Sequence, residues 1–194
     1  MDYVGRFAPS PTGPLHYGSF VAAMASFLDA RHAGGKWLLR IEDLDPPRES
    51  IDAPREIIRQ LLALGLHWDL EVLYQSSRLQ SYDAALESIQ AFTFPCTCSR
   101  KTVPDIYQGT CRLRKHLVPG GPYAVRLQVP RHSVSINDRC LGLKTWDLEK
   151  EVGDFIIKRK DGLHAYQLAV VVDDIHYSVS HIVRGNDLLD STPR

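Results

Sequence analysis

The first 41 residues place the strongest constraint on the fold. Tyr3 to Ala8 is a short run typical of a buried strand, and a stiff loop with three prolines follows it. Apolar residues at helical spacing from Ser19 to Ala33 predict a helix that stops at Gly34-Gly35, and Lys36 to Ile41 predicts a second strand. This order predicts a βαβ unit, and such units build parallel sheets that bind ligands at the carboxyl ends of their strands. We therefore expect a protein of the α/β class.

The middle of the chain has a different texture. From residue 95 onward cysteines, turn residues and short alternating stretches such as YAVRLQV replace the longer apolar patterns. We predict that residues 95–150 form a small insertion, and that residues 1–94 and 151–194 form the main domain.

Three further elements are predicted on either side of that insertion. Pro54 to Leu64 and Ser77 to Phe92 have helical patterns, and Gly65 ends the first of them. After a turn at Asp161-Gly162, the run AYQLAVVVDD predicts an apolar strand that ends at Asp173-Asp174. That acidic pair could be a structural corner as easily as part of a site.

Composition excludes several classes of protein. Lys and Arg number 23 and Asp and Glu also number 23, so bulk positive charge cannot drive binding to nucleic acid, and any such partner must meet a local patch. The start of the chain lacks a basic-then-apolar signal pattern, and no apolar run approaches the roughly 18 residues of a membrane span. We expect a cytoplasmic protein.

The loop RFAPSPTGPLHYGS places His16 and Ser19 at the mouth of the first predicted helix. A helix N-terminus favours phosphate, because its unpaired N–H groups and partial positive charge face the anion. Taken alone, a histidine at this position is more often a cap or a packing residue than a ligand-binding one. The loop matches neither GxGxxG nor GxxxxGK[ST], so the two common nucleotide fingerprints do not apply.

The cysteines form a second candidate site. Three of the four cysteines, Cys96, Cys98 and Cys111, lie within 16 residues of one another, and Tyr107 lies among them. Soft ligands at this spacing could form a tetrahedral zinc site, although Cys-x-Cys is tighter than usual, and free thiols are an equally open interpretation. Cys140 lies outside the group.

Four blocks, RFAPSPTGPLHYGS, LLRIEDLDPPRE, AYQLAVVVDD and IVRGNDLLDSTPR, occur in this order along the chain. Together they resemble the catalytic domain of the class I glutamyl-type aminoacyl-tRNA synthetases. The resemblance implies a Rossmann-like parallel sheet with a small zinc-bearing insertion, and an enzyme that uses ATP with Mg²⁺ to activate L-glutamate as glutamyl-adenylate. His16-Tyr17-Gly18-Ser19 is similar to the HIGH motif of the family, which implies catalytic roles for His16, Gly18 and Ser19.

Within this family, EDLDPPRE and the compact insertion are most similar to the glutamyl-Q tRNA(Asp) synthetases. Members of that group lack an anticodon-binding domain and attach glutamate to the queuosine base of tRNA(Asp), which implies that tRNA as a partner and a monomeric enzyme. The group also carries a Cys-x-Cys and Tyr-x₃-Cys pattern that binds structural zinc, and the sequence matches it at Cys96, Cys98, Tyr107 and Cys111.

The resemblance also implies a glutamate site. Glu42 would receive the ammonium group of the amino acid, and Tyr166 and Arg184 would complete the site around the side-chain carboxylate. Arg6, Ala8 and Ser10 would line the pocket. Judged from the residues alone, the arginines could be ion-pair residues, Tyr166 could be a core residue, and Glu42 could pair with one of the neighbouring arginines, Arg40 or Arg48.

The sequence departs from the family pattern in one respect. Members carry a KMSKS-type lysine signature beyond the VRG block, and no Lys-x-Ser-Lys pattern occurs here. We expect either a truncated chain or a natural short form, and activity of this chain depends on which it is. The alternatives are a fragment of an ordinary glutamyl-tRNA synthetase and a catalytically silent, zinc-containing RNA-binding module. A redox role for Cys-x-Cys is a weaker alternative.

Overall fold

A computed structural model describes residues 2–99, 101, 103, 105–107, 109–114 and 119–194. The chain divides into two compact units. The first comprises Met1–Ser81 with Ala169–Leu189, and the second comprises Tyr82–Leu168 with Asp190–Arg194. No helix among the described residues is long and apolar enough to cross a bilayer.

The first unit contains a parallel sheet. The elements up to the end of this sheet are β1 (Val4–Phe7), α1 (Tyr17–His32), β2 (Lys36–Ile41), α2 (Ala53–Ala63) and β3 (Leu73–Tyr74). The strand order is β1-β2-β3. The helix α1 connects β1 to β2, and these two strands pair in parallel from Val4 opposite Lys36 to Phe7 opposite Leu39. The predicted βαβ unit and the α/β class are therefore confirmed.

The core of the first unit lies between this sheet and its helices. Trp37 of β2 is fully buried, and its indole N–H donates to the Ser26 hydroxyl of α1 at 2.9 Å. Because a buried indole N–H needs an acceptor, a serine on an otherwise apolar helix face stabilises the packing. The buried residues around Trp37 are Phe7, Leu15, Ala23, Ala30, Leu39, Ile41, Ile57, Leu61 and Leu66.

Antiparallel strands dominate the second unit. The strands are β4 (Thr93–Cys96), β5 (Ala124–Leu127), β6 (Ser133–Asp138), β7 (Gly142–Asp147) and β8 (Phe155–Lys158). One sheet has the order β4-β5-β8, and β6 and β7 form a hairpin. The predicted insertion, residues 95–150, lies inside this unit, which also takes in β8 because β5 pairs with it. Its boundaries as a domain stay a prediction.

The helix predicted from Ser77 to Phe92 is α3 (Leu79–Ser88), and a short 3₁₀ turn precedes and follows it. In the part of the chain that the structure describes, the short helical turns include Pro46–Arg48, Gln75–Arg78, Gln90–Phe92, Arg112–Arg114, Leu148–Val152 and Asn186–Ser191.

The prediction of an apolar strand ending at Asp173-Asp174 was wrong. The segment is a helix, α4 (Tyr166–His176). Leu168, Ala169 and Asp173 are all buried. At 3.6 residues per turn these three positions fall on one side of a helix, whereas the neighbours Leu168 and Ala169 would face opposite sides of a strand. The three consecutive valines favoured a strand, and the burial of the helical face outweighed that preference.

Candidate functional site

The start of α1 brings the three predicted catalytic residues together. His16 is the N-cap, and its Nδ1 accepts the backbone N–H of Ser19 at 3.3 Å. A Cβ atom at Gly18 would lie 3.0 Å from His16 Cε1 and 3.2 Å from its Nδ1. Glycine therefore leaves room for the imidazole to fold over the first turn, and the ring stays exposed to solvent at the helix N-terminus.

Arg6, predicted to line the glutamate site, belongs to a group of four buried or nearly buried charges in the first unit. Its Nε donates to Asp174 Oδ1 at 3.4 Å, and Arg40 Nη1 donates to the same oxygen at 2.6 Å. Arg40 Nη2 also donates to Glu42 Oε1 at 3.1 Å. We call Arg6, Arg40, Glu42 and Asp174 the arginine–carboxylate cluster. Of the two arginines that could pair with Glu42, Arg40 is the one that does.

Burial sets the electrostatics of this cluster. It raises the pKa of Glu42, although the guanidinium groups of Arg40 and Arg6 oppose the shift. Burial would lower the pKa of Arg40, but Glu42 and Asp174 together raise it. Among the described residues, the Arg6 side chain donates one hydrogen bond, from Nε to Asp174. The Nη edge of Arg6 is thus available to a carboxylate, which a guanidinium binds with two parallel hydrogen bonds.

Asp173 and Asp174 do not belong to the predicted site, and both pair with arginines. Asp173 is fully buried and accepts hydrogen bonds from Gln75 Nε2 at 2.8 Å and from Arg78 Nε at 2.6 Å. Adjacent acids on a helix point about 100° apart, so each one reaches a different arginine. Two acids inside an apolar run were the available signal, because buried carboxylates are rare unless they are paired.

The proline-rich loop after β1 lies beside Glu42. The Pro9 carbonyl accepts the Glu42 N–H at 3.0 Å, which places the neighbouring residues Ala8 and Ser10 at the end of β2. Ala8 is half-buried and Ser10 is exposed. Among the predicted glutamate residues, the structure therefore groups Arg6, Ala8, Ser10 and Glu42.

The other two predicted glutamate residues are not placed with that group. Arg184 is half-buried in the first unit, and Tyr166 is half-buried at the start of α4, in the second unit. Their participation in one site with Arg6 stays a prediction.

The second unit holds the cysteine cluster, defined as Cys96, Cys98, Tyr107 and Cys111. The three sulfur atoms lie within 4.8 Å of one another, and the Cys98 and Cys111 sulfurs are 3.5 Å apart. The Tyr107 hydroxyl lies 3.7 Å from Cys96 Sγ and 3.9 Å from Cys98 Sγ, and it accepts the Cys111 N–H at 2.7 Å.

These distances fit a tetrahedral metal. Ligands about 2.3 Å from a central zinc lie roughly 3.8 Å from each other, which is close to the separations in the cluster. All three cysteines are free thiols. The cluster could therefore hold zinc through three sulfurs and one phenol oxygen.

Burial and hydrogen bonding shift the pKa values of two thiols in the cluster in opposite directions. Burial raises the pKa of Cys98. Burial would also raise the pKa of Cys111, but hydrogen bonds from the Tyr107 hydroxyl and the Thr97 backbone lower it to about 7. Burial is also the main cause of a raised pKa at Tyr107. A thiol that ionises near neutral pH is a ready metal ligand.

The fold and these three groups of residues point to one class of protein. The family model described as "tRNA synthetases class I (E and Q), catalytic domain" matches residues 3–105 and 108–194. The chain belongs to this family, and the family resemblance inferred from its sequence blocks is confirmed.

Relatives within the family carry a more specific name than the family itself. A protein of Pseudomonas putida strain KT2440 named glutamyl-Q tRNA(Asp) synthetase is 51% identical over 198 residues, which cover 100% of this chain and 65% of that protein. A protein of the same name from Thiobacillus denitrificans is 52% identical over 98% of this chain and 67% of its own length. The chain thus spans about two thirds of the length of these relatives.

Solved structures agree with the fold. The crystal structure of a glutamate tRNA ligase from Elizabethkingia meningosepticum, in complex with its amino acid, matches 99% of this chain and 45% of that chain. The TM-score is 0.87 and the sequence identity is 26%. A glutamate-tRNA synthetase from Elizabethkingia anophelis matches with a TM-score of 0.86, also at 26% identity, over 98% of this chain and 46% of its own.

Proposed function

We propose that this chain activates L-glutamate with ATP and Mg²⁺ as glutamyl-adenylate, for transfer to the queuosine base of tRNA(Asp). The observation that carries the proposal is the 51% identity, along the whole chain, to relatives named glutamyl-Q tRNA(Asp) synthetase. The arginine–carboxylate cluster supports it independently, because its charges are those that an acidic amino acid requires. The cytoplasmic location and the monomeric state stay predictions.

Glutamate recognition follows from the cluster. The Nη edge of Arg6 binds the side-chain carboxylate of the substrate, and Asp174 holds the Arg6 Nε in place. Glu42 receives the substrate ammonium group. The other residues of the proposed pocket are Ala8, Ser10, Tyr166 and Arg184. Glutamine is rejected, because its amide offers the Nη edge of Arg6 one neutral oxygen in place of two charged ones, at a cost of about 2 to 5 kcal/mol.

Adenylate formation takes place at the start of α1 in this proposal. An oxygen of the glutamate α-carboxylate attacks the α-phosphorus of ATP, and the bond to pyrophosphate breaks. His16, Gly18 and Ser19 lie where the helix N-terminus favours negative charge, so they stabilise the phosphoryl group as its charge develops.

Zinc in the cysteine cluster has a structural role in this proposal. Cys96, Cys98, Tyr107 and Cys111 fill all four positions of a tetrahedral site, so no position stays open for a reactive water. The metal when bound would fasten together β4 and the segment around Cys111.

Glutamate-dependent exchange of pyrophosphate into ATP tests the activation step. The assay contains this chain, Mg²⁺ and no tRNA, and the Pseudomonas putida relative serves as the positive control. We expect exchange with glutamate and very little with glutamine.

Arg6→Met should lower kcat/KM for glutamate by about 100-fold or more, because a buried charged contact is lost. The matched control is Arg59→Met, which removes an exposed arginine of α2 and should change little.

Exchange that is equal for glutamate and glutamine would contradict the proposed recognition. Exchange that is absent from this chain, but present in a full gene product that continues beyond it, would locate activity in the longer protein. Absence from both would favour a binding module.

The acceptor is tested by transfer of radiolabelled glutamate to tRNA(Asp). We expect labelling of tRNA that carries queuosine and none of an unmodified transcript. Labelling of an unmodified tRNA(Glu) transcript instead would favour an ordinary glutamyl-tRNA synthetase.

A further inference from the structure

Arg126 of β5 packs directly against the cysteine cluster. Its side chain is buried, with 7% of its surface exposed. Its Nε donates to Cys96 Sγ at 3.3 Å, and its Nη1 donates to the Asp154 backbone carbonyl at 2.7 Å. The guanidinium carbon lies 4.0 Å from the centre of the Tyr107 ring. One arginine therefore contacts two of the four members of the cluster.

Arg126 has no carboxylate partner among the described residues. The carboxylate of the nearby Asp154 is already engaged, since it pairs with Arg112 and its Oδ1 accepts the Val129 N–H at 3.0 Å. Only the backbone carbonyl of Asp154 is used by Arg126. A buried cation is strongly destabilising unless negative charge lies beside it. Among the described residues, the groups in contact with the Arg126 guanidinium are a thiol, a phenol ring and a backbone carbonyl, all of which are neutral without a metal.

Metal binding would supply the missing negative charge. Cysteine binds zinc as the thiolate, so a Zn²⁺ ion held by three cysteines carries a net charge of −1, and of −2 if the phenol also loses its proton. A buried anionic complex and a buried unpaired guanidinium in contact neutralise each other. The donation from Nε to sulfur is then a charge-assisted hydrogen bond.

We propose that Arg126 is the charge partner of the metal-loaded cysteine cluster, and that it fixes the positions of Cys96 and of the Tyr107 ring for metal binding. This inference rests on the proposed zinc site. In this role Arg126 positions metal ligands and thereby raises the affinity for zinc. The role is separate from any stabilisation of the fold by its hydrogen bond to the Asp154 backbone.

The test is the zinc dissociation constant, measured by competition with a chromogenic chelator. Arg126→Met keeps an apolar stem of similar length but removes the charge and the donor. We expect zinc to bind this variant about 10- to 100-fold more weakly than the wild type, the usual effect of removing a partner of a metal ligand. Arg131→Met, which removes an exposed arginine paired with Glu149, is the matched control and should bind zinc as the wild type does.

Substitution with Co²⁺ separates positioning from stability. The sulfur-to-cobalt charge-transfer band reports how many thiolates bind, and the d–d bands report tetrahedral geometry. We expect the Arg126→Met bands to be weaker or shifted, while far-UV circular dichroism shows that the metal-free variant stays folded. If Arg126 only stabilised the fold, Arg126→Met would lower the free energy of unfolding without changing the cobalt bands of the folded protein.

Where Arg126→Met fails to fold, Arg126→Lys decides the question. A lysine ammonium keeps the charge but cannot lie over the Tyr107 ring and reach both the sulfur and the carbonyl, so we expect about 10-fold weaker zinc binding. An unchanged zinc dissociation constant in either folded variant would overturn the inference and leave the zinc site intact. Cys96→Ser is the negative control and is expected to bind no zinc. If the wild-type chain also binds none, the zinc site itself is overturned.

Discussion

At the scale of single residues, Glu42 shows how burial and charge oppose each other. Its side chain is 9% exposed and pairs with Arg40. Burial nevertheless raises its pKa. The folded protein therefore binds a proton at Glu42 more tightly than the unfolded chain does. Glutamates in an unfolded chain have a pKa of about 4.3. The stability that Glu42 contributes consequently falls as the pH rises from about 4 through the raised pKa.

Comparison of the wild type with Glu42→Gln isolates this effect, because glutamine does not titrate. We expect the difference in free energy of unfolding, wild type minus variant, to decline with rising pH and then level off. Urea denaturation at a series of pH values measures it. Glu56→Gln is the control of opposite sign, since the hydrogen bond from Arg59 lowers the pKa of Glu56. A difference for Glu42 that rises with pH would contradict the expected shift.

Single residues also show what a sequence reveals about a site. His16, Gly18 and Ser19 adjoin one another in sequence, so their grouping at the start of α1 could be predicted. The partners of Arg6 could not, because Asp174 is 168 positions away and its segment has the composition of a strand. Helical geometry, which aims Asp173 and Asp174 at different arginines, had to be known first.

At the scale of elements, α2 owes its position to a narrow apolar stripe. Ile57 and Leu61 are fully buried one turn apart, whereas the neighbouring Leu62 is 45% exposed. Packing on this stripe contributes more to the helix than intrinsic preference, because an isolated helix of 11 residues is marginal in water.

Ile57→Ala should lower the free energy of unfolding by about 2 to 5 kcal/mol, because a cavity is left in the core. Leu62→Ala removes a side chain of the same composition from the same helix, and it should cost less than about 1 kcal/mol. Chemical denaturation of both variants measures the two values. Equal losses would mean that the burial of Ile57 does not determine its contribution.

Elements differ in how well the sequence predicts them. The helices and strands up to Ala63 have clear periodicity and clear glycine or proline boundaries, and the structure places them within two residues of the predictions. The strand β3 has only two residues, which is too short for any period to be visible. For α4, strand preference and helical burial conflict, and only tertiary packing resolves the conflict.

At the scale of the whole molecule, two compact units depend on different kinds of stabilisation. In the first unit, the apolar cluster around Trp37 has ten buried residues among those that the structure describes. In the second, the cluster around Tyr107 has only Phe94, Cys96 and Tyr107 as its buried members among the described residues. A core of that size gains most from a metal, since metal binding is coupled to folding.

Removal of zinc should therefore loosen the second unit selectively. We expect a chelator to speed hydrogen exchange at the backbone amides of β4 and β5 and to leave those of β1 and β2 unchanged. Cys140→Ser, which alters the exposed cysteine outside the cluster, should retain this response, and Cys96→Ser should show fast exchange even without the chelator. Slow exchange at β4 after complete metal removal would contradict a structural role for zinc.

The cap of α1 determines which ring nitrogen of His16 accepts a hydrogen bond and which one donates. Because His16 Nδ1 accepts the Ser19 N–H, that nitrogen carries no proton, and the neutral ring must be the Nε2–H tautomer. The cap thus orients a donor, rather than a lone pair, on the opposite edge of the imidazole. An anion that approaches that edge therefore meets an N–H group on the neutral ring.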